Sequence, residues 1–362
     1  MKRVIFLVVA VAAIMFTSCK KEYTITVQSN NESWGSVEGS GTYTKGTVIS
    51  IGAISNNGYK FAKWDDDNSD NPRTITIEKN ATYTAVFVEE EPTSMGIFSV
   101  SETQKVNFSP GNLQWSATGS HAVAGNGTAA GTWRFAPNQW DTIGANNNNI
   151  SSTYTGWIDL FGWGTSGYNN KYPYMTSTTN TDYGNGSNDI AGTNYDWGMY
   201  NAIYHPKNQT TDAPGTWRTL TTNEWIYLLR VRTTLSGIRY AKGTVCGIAG
   251  LIIVPDNWSN TIYTLDSTNT YTAAYTSNII GASDWAKMEV VGCVFLPTAG
   301  QRSGSLVDFV GFYGGYWSAT CDYSGYAYGW SFGRFDSINF GPAYYSYSYD
   351  YGKSVRLVRS AR

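Results

Sequence analysis

Gly315 to Val358 reads GYWSATCDYSGYAYGWSFGRFDSINFGPAYYSYSYDYGKSVRLV. It opens on Gly315-Tyr316-Trp317-Ser318 and closes on Gly352-Lys353-Ser354-Val355-Arg356-Leu357-Val358. Between those ends the chain is almost wholly Tyr, Ser, Gly, Asp and Phe. A hydrophobic core would use Leu, Ile and Val here, and a disordered linker would lack the aromatics. Tyr brings a large rigid surface with a hydroxyl at its tip, and Ser, Gly and Asn adapt around it. The stretch therefore reads as a displayed binding surface on a β framework. In Ala327-Tyr328-Gly329-Trp330-Ser331-Phe332 the period of two predicts Trp330 and Phe332 inward and Gly329 and Ser331 outward. The expected ligand-binding set is Asp322, Tyr323, Tyr326, Gly329, Ser331, Arg334, Asp336, Tyr344, Tyr345, Tyr347, Tyr349 and Tyr351. Trp317, Val355 and Leu357 are expected in the core. Aromatic ladders also stabilise sheets, so edge packing is the competing account of the tyrosines.

Working outward, the totals limit what surrounds this tail. A chain of 362 residues is too long for one ordinary core and points to about two domains. Net charge is −2, which gives no basic field for nucleic acid. Aromatics (15%) outnumber charged residues (14%), and there are 38 Gly, a balance that fits an all-β or loop-rich extracellular protein. Only 2 His leave little room for His-based catalysis or a His-rich metal site.

The start of the chain carries an export signal. Lys2-Arg3, the apolar run Val4 to Phe16, and Thr17-Ser18-Cys19 form a charged, then apolar, then small-residue pattern. The run is too short for an ordinary membrane span. Residues 1–18 are thus expected to be a signal peptide. Phe16 to Cys19 resembles a bacterial lipobox, with Phe16 where Leu is usual. The resemblance implies that Cys19 becomes an acylated N-terminus anchoring an outer-membrane lipoprotein at the cell surface. Lys20-Lys21-Glu22 is no clean surface-export signal, so the periplasmic face stays open. The remaining cysteines, Cys246, Cys293 and Cys321, show no zinc spacing; buried free thiols are expected for the first two, with a Cys246–Cys293 disulfide as the alternative in an exported protein.

Residues 19–91 form the first expected domain with its linker. Tyr23-Thr24-Ile25-Thr26-Val27 alternates as a half-buried strand does. Glycine-punctuated strands follow, through Gly58-Tyr59-Lys60-Phe61-Ala62-Lys63-Trp64 to Thr82-Tyr83-Thr84-Ala85-Val86-Phe87. The Asp65–Asp67 run lacks fixed calcium-ligand spacing and reads as a solvated turn. Glu89-Glu90-Glu91-Pro92 ends the segment. This order is similar to the divergent InlB B-type repeat, which implies a small β-grasp-like surface module.

Residues 95–362 form the second, an α+β domain. Val106 to Trp115 predicts strand, turn, strand, and Trp133-Arg134-Phe135-Ala136 continues the pattern. From Thr165 to about Gly215 the chain is rich in Asn, Gly, Thr and Tyr. Recurring Trp and Tyr predict long ordered loops there. Thr221 and Glu224 fit a capping box, and Trp225, Leu228, Leu229 and Arg232 share one face of a helix running to about Val231. A shorter helix is expected near Ser283-Asp284-Trp285. Leu251 to Asp256 and Val294 to Pro297 read as buried strands.

Arg218 to Arg230 resembles the helix signature of the formylglycine-generating-enzyme family, a branch of the C-type-lectin fold. Phe108 to Leu113, Phe295 to Gly300 and Ser354 to Val358 resemble the major paralogous domain lipoproteins of gut Bacteroidetes and Fibrobacter. Some of those are variable proteins of diversity-generating retroelements, whose tails are altered at adenines. An Asn codon altered at its adenines does not yield Lys, Glu, Gln, Met or Trp. None of the first four occurs between Ala319 and Tyr351, and Trp330, the one Trp, sits at a framework position. The resemblance implies a monomeric receptor or adhesin binding a protein or glycan, with no cofactor, metal or catalytic residues. A fimbrial or structural component is one alternative. A formylglycine-generating oxidase is another, but that activity depends on a reactive cysteine pair, and Cys321 has no partner nearby in sequence.

Overall fold

The computed structural model describes residues 21–56, 59–89, 96–118, 131–270, 272–335 and 338–361, without side-chain detail at 89 and 334–341. The expected signal peptide, Cys19 and Asp336 lie outside the described residues, as does most of the linker. The described chain is mainly β, in several sheets, with a few short helices. It divides into two compact units, Met1–Glu90 and Glu91–Arg362.

Among its described residues the first unit has seven strands: β1 (Glu22–Ser29), β2 (Gly35–Glu38), β3 (Gly41–Thr44), β4 (Val48–Ser55), β5 (Tyr59–Trp64), β6 (Arg73–Thr76) and β7 (Ala81–Glu89). They form two sheets, in the orders β3-β1-β7-β5 and β2-β4-β6. The alternation in β1 buries Ile25 and Val27 and leaves Thr24, Thr26 and Gln28 in water. Those two residues join Ile51, Trp64, Ile75, Ile77, Ala85 and Phe87 in one core. Trp64 is fully enclosed and donates its indole N–H to the Asp70 carbonyl at 2.9 Å. In the acidic turn, Asp66 meets Arg73 at 2.7 Å and Asp67 meets Lys63 at 2.6 Å.

The second unit opens with β8 (Phe98–Ser99), β9 (Lys105–Phe108), β10 (Leu113–Ser116) and β11 (Thr132–Phe135). Next come α1 (Trp197–Tyr200), β12 (Ile203–His205), β13 (Thr210–Asp212), β14 (Arg218–Thr219) and α2 (Thr222–Ile226). The chain continues through β15 (Tyr240–Val245), β16 (Ile248–Ile253), β17 (Ile279–Ile280), α3 (Ala282–Val290) and β18 (Val294–Pro297). It ends with β19 (Gln301–Ser303), β20 (Leu306–Asp308), β21 (Tyr313–Tyr323), β22 (Tyr326–Phe335), β23 (Ile338–Ser348) and β24 (Leu357–Ser360). The last strand, β24, lies between β14 and β9 in the sheet β14-β24-β9-β8. Val358 pairs with Phe108 and Leu357 with Thr219, so both ends of the unit meet in one sheet.

Helix α2 starts where the capping box places it. Thr221 Oγ1 accepts the Glu224 N–H at 3.3 Å, and Glu224 Oε2 accepts the Thr221 N–H at 2.8 Å. Arg218 holds the same carboxylate from outside, at 2.6 Å and 2.8 Å. The helical path continues through a π-type turn, Tyr227–Val231. Trp225, Leu228 and Leu229 face the core. Arg232 is also buried, bonded to Asp256 at 2.8 Å and to the Leu228 and Val254 carbonyls at 2.7 Å each.

The Asn- and Gly-rich stretch is pinned from inside. Trp163, Tyr183, Ile190 and Trp197 all belong to one core. Asp196, buried at the N-cap of α1, accepts the Thr219 N–H and hydroxyl at 2.8 Å each, tying the loop to β14. Cys246, Cys293 and Cys321 are free thiols.

Candidate ligand-binding surface

The three long strands near the C-terminus form a sheet in the order β21-β22-β23. Strands β21 and β22 are clamped between two cores. Tyr316, Trp330 and Phe332 pack with Phe108, Trp225 and Leu229 on one side. Trp317, Ala319 and Ala327 pack with Trp163, Val355 and Leu357 on the other. The indoles lock this arrangement: Trp317 donates to the Phe161 carbonyl at 2.7 Å and Trp163 to the Ser318 carbonyl at 2.8 Å.

That clamp corrects the assignment of Gly329 and Ser331 to the outside. Both are buried. A Cβ on Gly329 would stand 3.1 Å from the Tyr316 carbonyl and 3.2 Å from the Tyr347 ring. Ser331 Oγ lies 2.5 Å from the Tyr347 hydroxyl. The expectation assumed a sheet wet on one face, whereas this one is covered on both. Tyr349 is corrected likewise. Only 1% exposed, its ring stacks on Trp163 at 4.4 Å and its hydroxyl donates to the Gly186 carbonyl at 2.8 Å. The Cys321 thiol sits 3.0 Å from that hydroxyl.

The edge strand β23 and the β21–β22 turn differ: Tyr344 pairs with Trp330 and Tyr345 with Gly329, level with the clamped residues but on the outer strand. Tyr323 is 55% exposed, Tyr345 50% and Tyr344 39%. Tyr323 and Tyr326 stack at 4.6 Å beside the turn Ser324-Gly325. Gly325 takes φ +84° there, and a Cβ would come within 2.6 Å of the Asn180 amide, so the turn favours glycine twice over. Asp322 accepts the Tyr328 hydroxyl at 2.6 Å. On the helix side Arg230 lies over both Trp330 and Tyr344, at 5.4 Å and 5.5 Å, and steadies the exposed ring. Arg334 lies on β22, and its side chain is not among those described; Asp336 is outside the described residues.

Tyr347 and Tyr351 are half-buried and share an aromatic cage around Lys353. The Lys353 amine is 3.4 Å from the centre of the Tyr347 ring and donates to the Tyr313 hydroxyl at 2.8 Å. Among the described residues no carboxylate pairs with it. Burial holds its pKa well below the ordinary value.

Beside this cage lies an open groove of ≈ 720 Å³. Tyr326, Tyr347 and Tyr351 line it, and sequence reasoning had placed all three at the surface. Thr178, Thr179, Asn180, Gln301, Ser346, Ser348 and Asp350 line it too, and sequence reasoning missed them. The signal available for Thr178 to Asn180 was the recurrence of Tyr and Trp through their stretch, which marks it as packed against the domain. Nothing in the local pattern said which strand it would meet.

Residues 24–91 match the family model of the divergent InlB B-repeat domain, so the first unit carries that repeat. No curated protein and no solved structure matches the chain.

Proposed function

We propose that this chain is a surface-anchored, non-enzymatic binding protein of the receptor or adhesin kind. In this reading Cys19 carries the lipid of an outer-membrane lipoprotein, and the second unit is a C-type-lectin-like domain. Its tyrosine-rich tail, diversified at adenine positions in the manner of a retroelement variable protein, contacts a protein or glycan. One observation carries the reading: Tyr344 and Tyr345 stand in water on the edge strand β23, and Tyr323 beside the β21–β22 turn, of a sheet whose other two strands are clamped on both faces. Exposed rings on a rigid support lose little conformational entropy when a partner covers them. The pairing of β9, near the start of the unit, with β24, its last strand, supports the lectin-like reading. An oxidase would need a second thiol beside Cys321. Cys246 and Cys293 sit with a different core, and Cys321 meets the Tyr349 hydroxyl instead.

The test is direct. The full chain is probed against a mixed glycan array and a panel of purified extracellular glycoproteins. Wild type is expected to capture at least one probe, and Tyr323→Ala, Tyr344→Ala and Tyr345→Ala combined to lose it. Undiminished capture by a folded triple variant overturns the reading. A second reading rests on β23, which is an edge strand among the described residues and could accept a donated strand. Polymers in native mass spectrometry would favour that structural role.

A further inference from the structure

The groove beside the Lys353 cage is chemically distinct from the exposed rings of Tyr323, Tyr344 and Tyr345. Three phenol rings, from Tyr326, Tyr347 and Tyr351, line it together with four hydroxyl side chains, Thr178, Thr179, Ser346 and Ser348. Asn180 and Gln301 add carboxamides that both donate and accept. Asp350 is its one charged side chain. The Ser348 hydroxyl donates to Oδ1 of Asp350, and among the described residues no donor meets Oδ2. The cations behind the groove, Lys353 and Arg302, are both buried, and burial lowers the pKa of each.

We propose that this groove is a binding site for a neutral saccharide, a proposal that rests on the ligand-binding reading above. A volume of ≈ 720 Å³ falls within the range of about 300–1,000 Å³ typical of small-ligand sites. A sugar ring has an apolar C–H face, which packs on the negative face of a phenol ring, and a rim of hydroxyls. The hydroxyls can donate to the Asp350 carboxylate and exchange hydrogen bonds with Asn180, Gln301 and the serines. A peptide would want apolar pockets for its anchoring side chains, and the lining offers no aliphatic residue. An anionic sugar would face Asp350 with no exposed cation to offset it.

The full chain is assayed by titration and on an array of neutral oligosaccharides ending in galactose, glucose, mannose, fucose or N-acetylglucosamine. Sialylated and sulfated counterparts sit beside them. Neutral probes are expected to bind, and acidic counterparts to bind at least tenfold more weakly. Asp350→Asn keeps an acceptor for Ser348, and it and Tyr326→Ala should each weaken binding at least tenfold with the melting temperature held. A partner captured through Tyr323, Tyr344 and Tyr345, with no saccharide bound by wild type, sinks the groove and leaves the proposed function standing. Saccharide binding that survives Asp350→Asn and Tyr326→Ala also overturns the groove. A wild type that binds nothing on either panel overturns both.

Discussion

Tyr345 and Tyr349 are four residues apart, yet one is half exposed and the other sealed against Trp163. The contrast runs through the whole C-terminal sheet. Strands β21 and β22 lie between two cores, and the rings that meet water stand on the edge strand β23 and at the β21–β22 turn. Both regions are rich in the same few residue types. Composition therefore marks a surface-capable strand, and the packing neighbours decide whether a given ring becomes core or display. Tyr316 and Tyr349 serve the fold as Trp317 and Trp330 do, whereas Tyr323, Tyr344 and Tyr345 keep much of their surface in water.

The sharpest way to break this contrast is at the clamped strands. Trp317→Ala removes a ring from one core together with its bond to the Phe161 carbonyl. It should cost about 3–5 kcal/mol, seen as a large drop in the denaturation midpoint. A change below about 1 kcal/mol would mean that the sheet is not clamped there. Tyr349→Phe is more selective. It keeps the stack on Trp163 and deletes the hydroxyl that serves Gly186 and Cys321. A loss of about 0.5–1.5 kcal/mol is expected, the net worth of one hydrogen bond, because the exposed Gly186 carbonyl can turn to water; equilibrium unfolding in urea measures it.

A third prediction concerns pH. Burial depresses the Lys353 pKa in the folded unit below the ordinary 10.5. Between the depressed value and 10.5 the unfolded chain binds a proton that the folded chain lacks. Stability therefore rises with pH across that window, by at most about 1.4 kcal/mol per pH unit, and levels off above it. Lys353→Met should flatten that rise. An unchanged slope in melts between pH 7 and 10 would show that the amine is not sealed by its cage.

Much of this architecture was readable in the residues because the signals were local. The capping box at Thr221 and Glu224 fixed a helix start, and alternation in Tyr23 to Val27 fixed a strand face. Trp317, Val355 and Leu357 read as core because apolar residues in a polar stretch have few other uses. The candidate surface was legible only in part. Gly329, Ser331 and Tyr349 were misplaced because period-two reasoning assigns two faces and says nothing of what covers each. The groove was harder still. It joins Thr178 to Asn180 with Ser346 to Tyr351, segments more than 160 residues apart, and no local periodicity carries such a contact.

Tyrosine nitration mapped by mass spectrometry, on the free protein and on the protein holding its captured probe, tests the division of the sheet most directly. The account predicts rapid modification of Tyr323, Tyr344 and Tyr345 in the free chain, their protection by the bound probe, and slow modification of Tyr316 and Tyr349 throughout. Equal rates at all five rings, or the first three already shielded in the free protein, would contradict it.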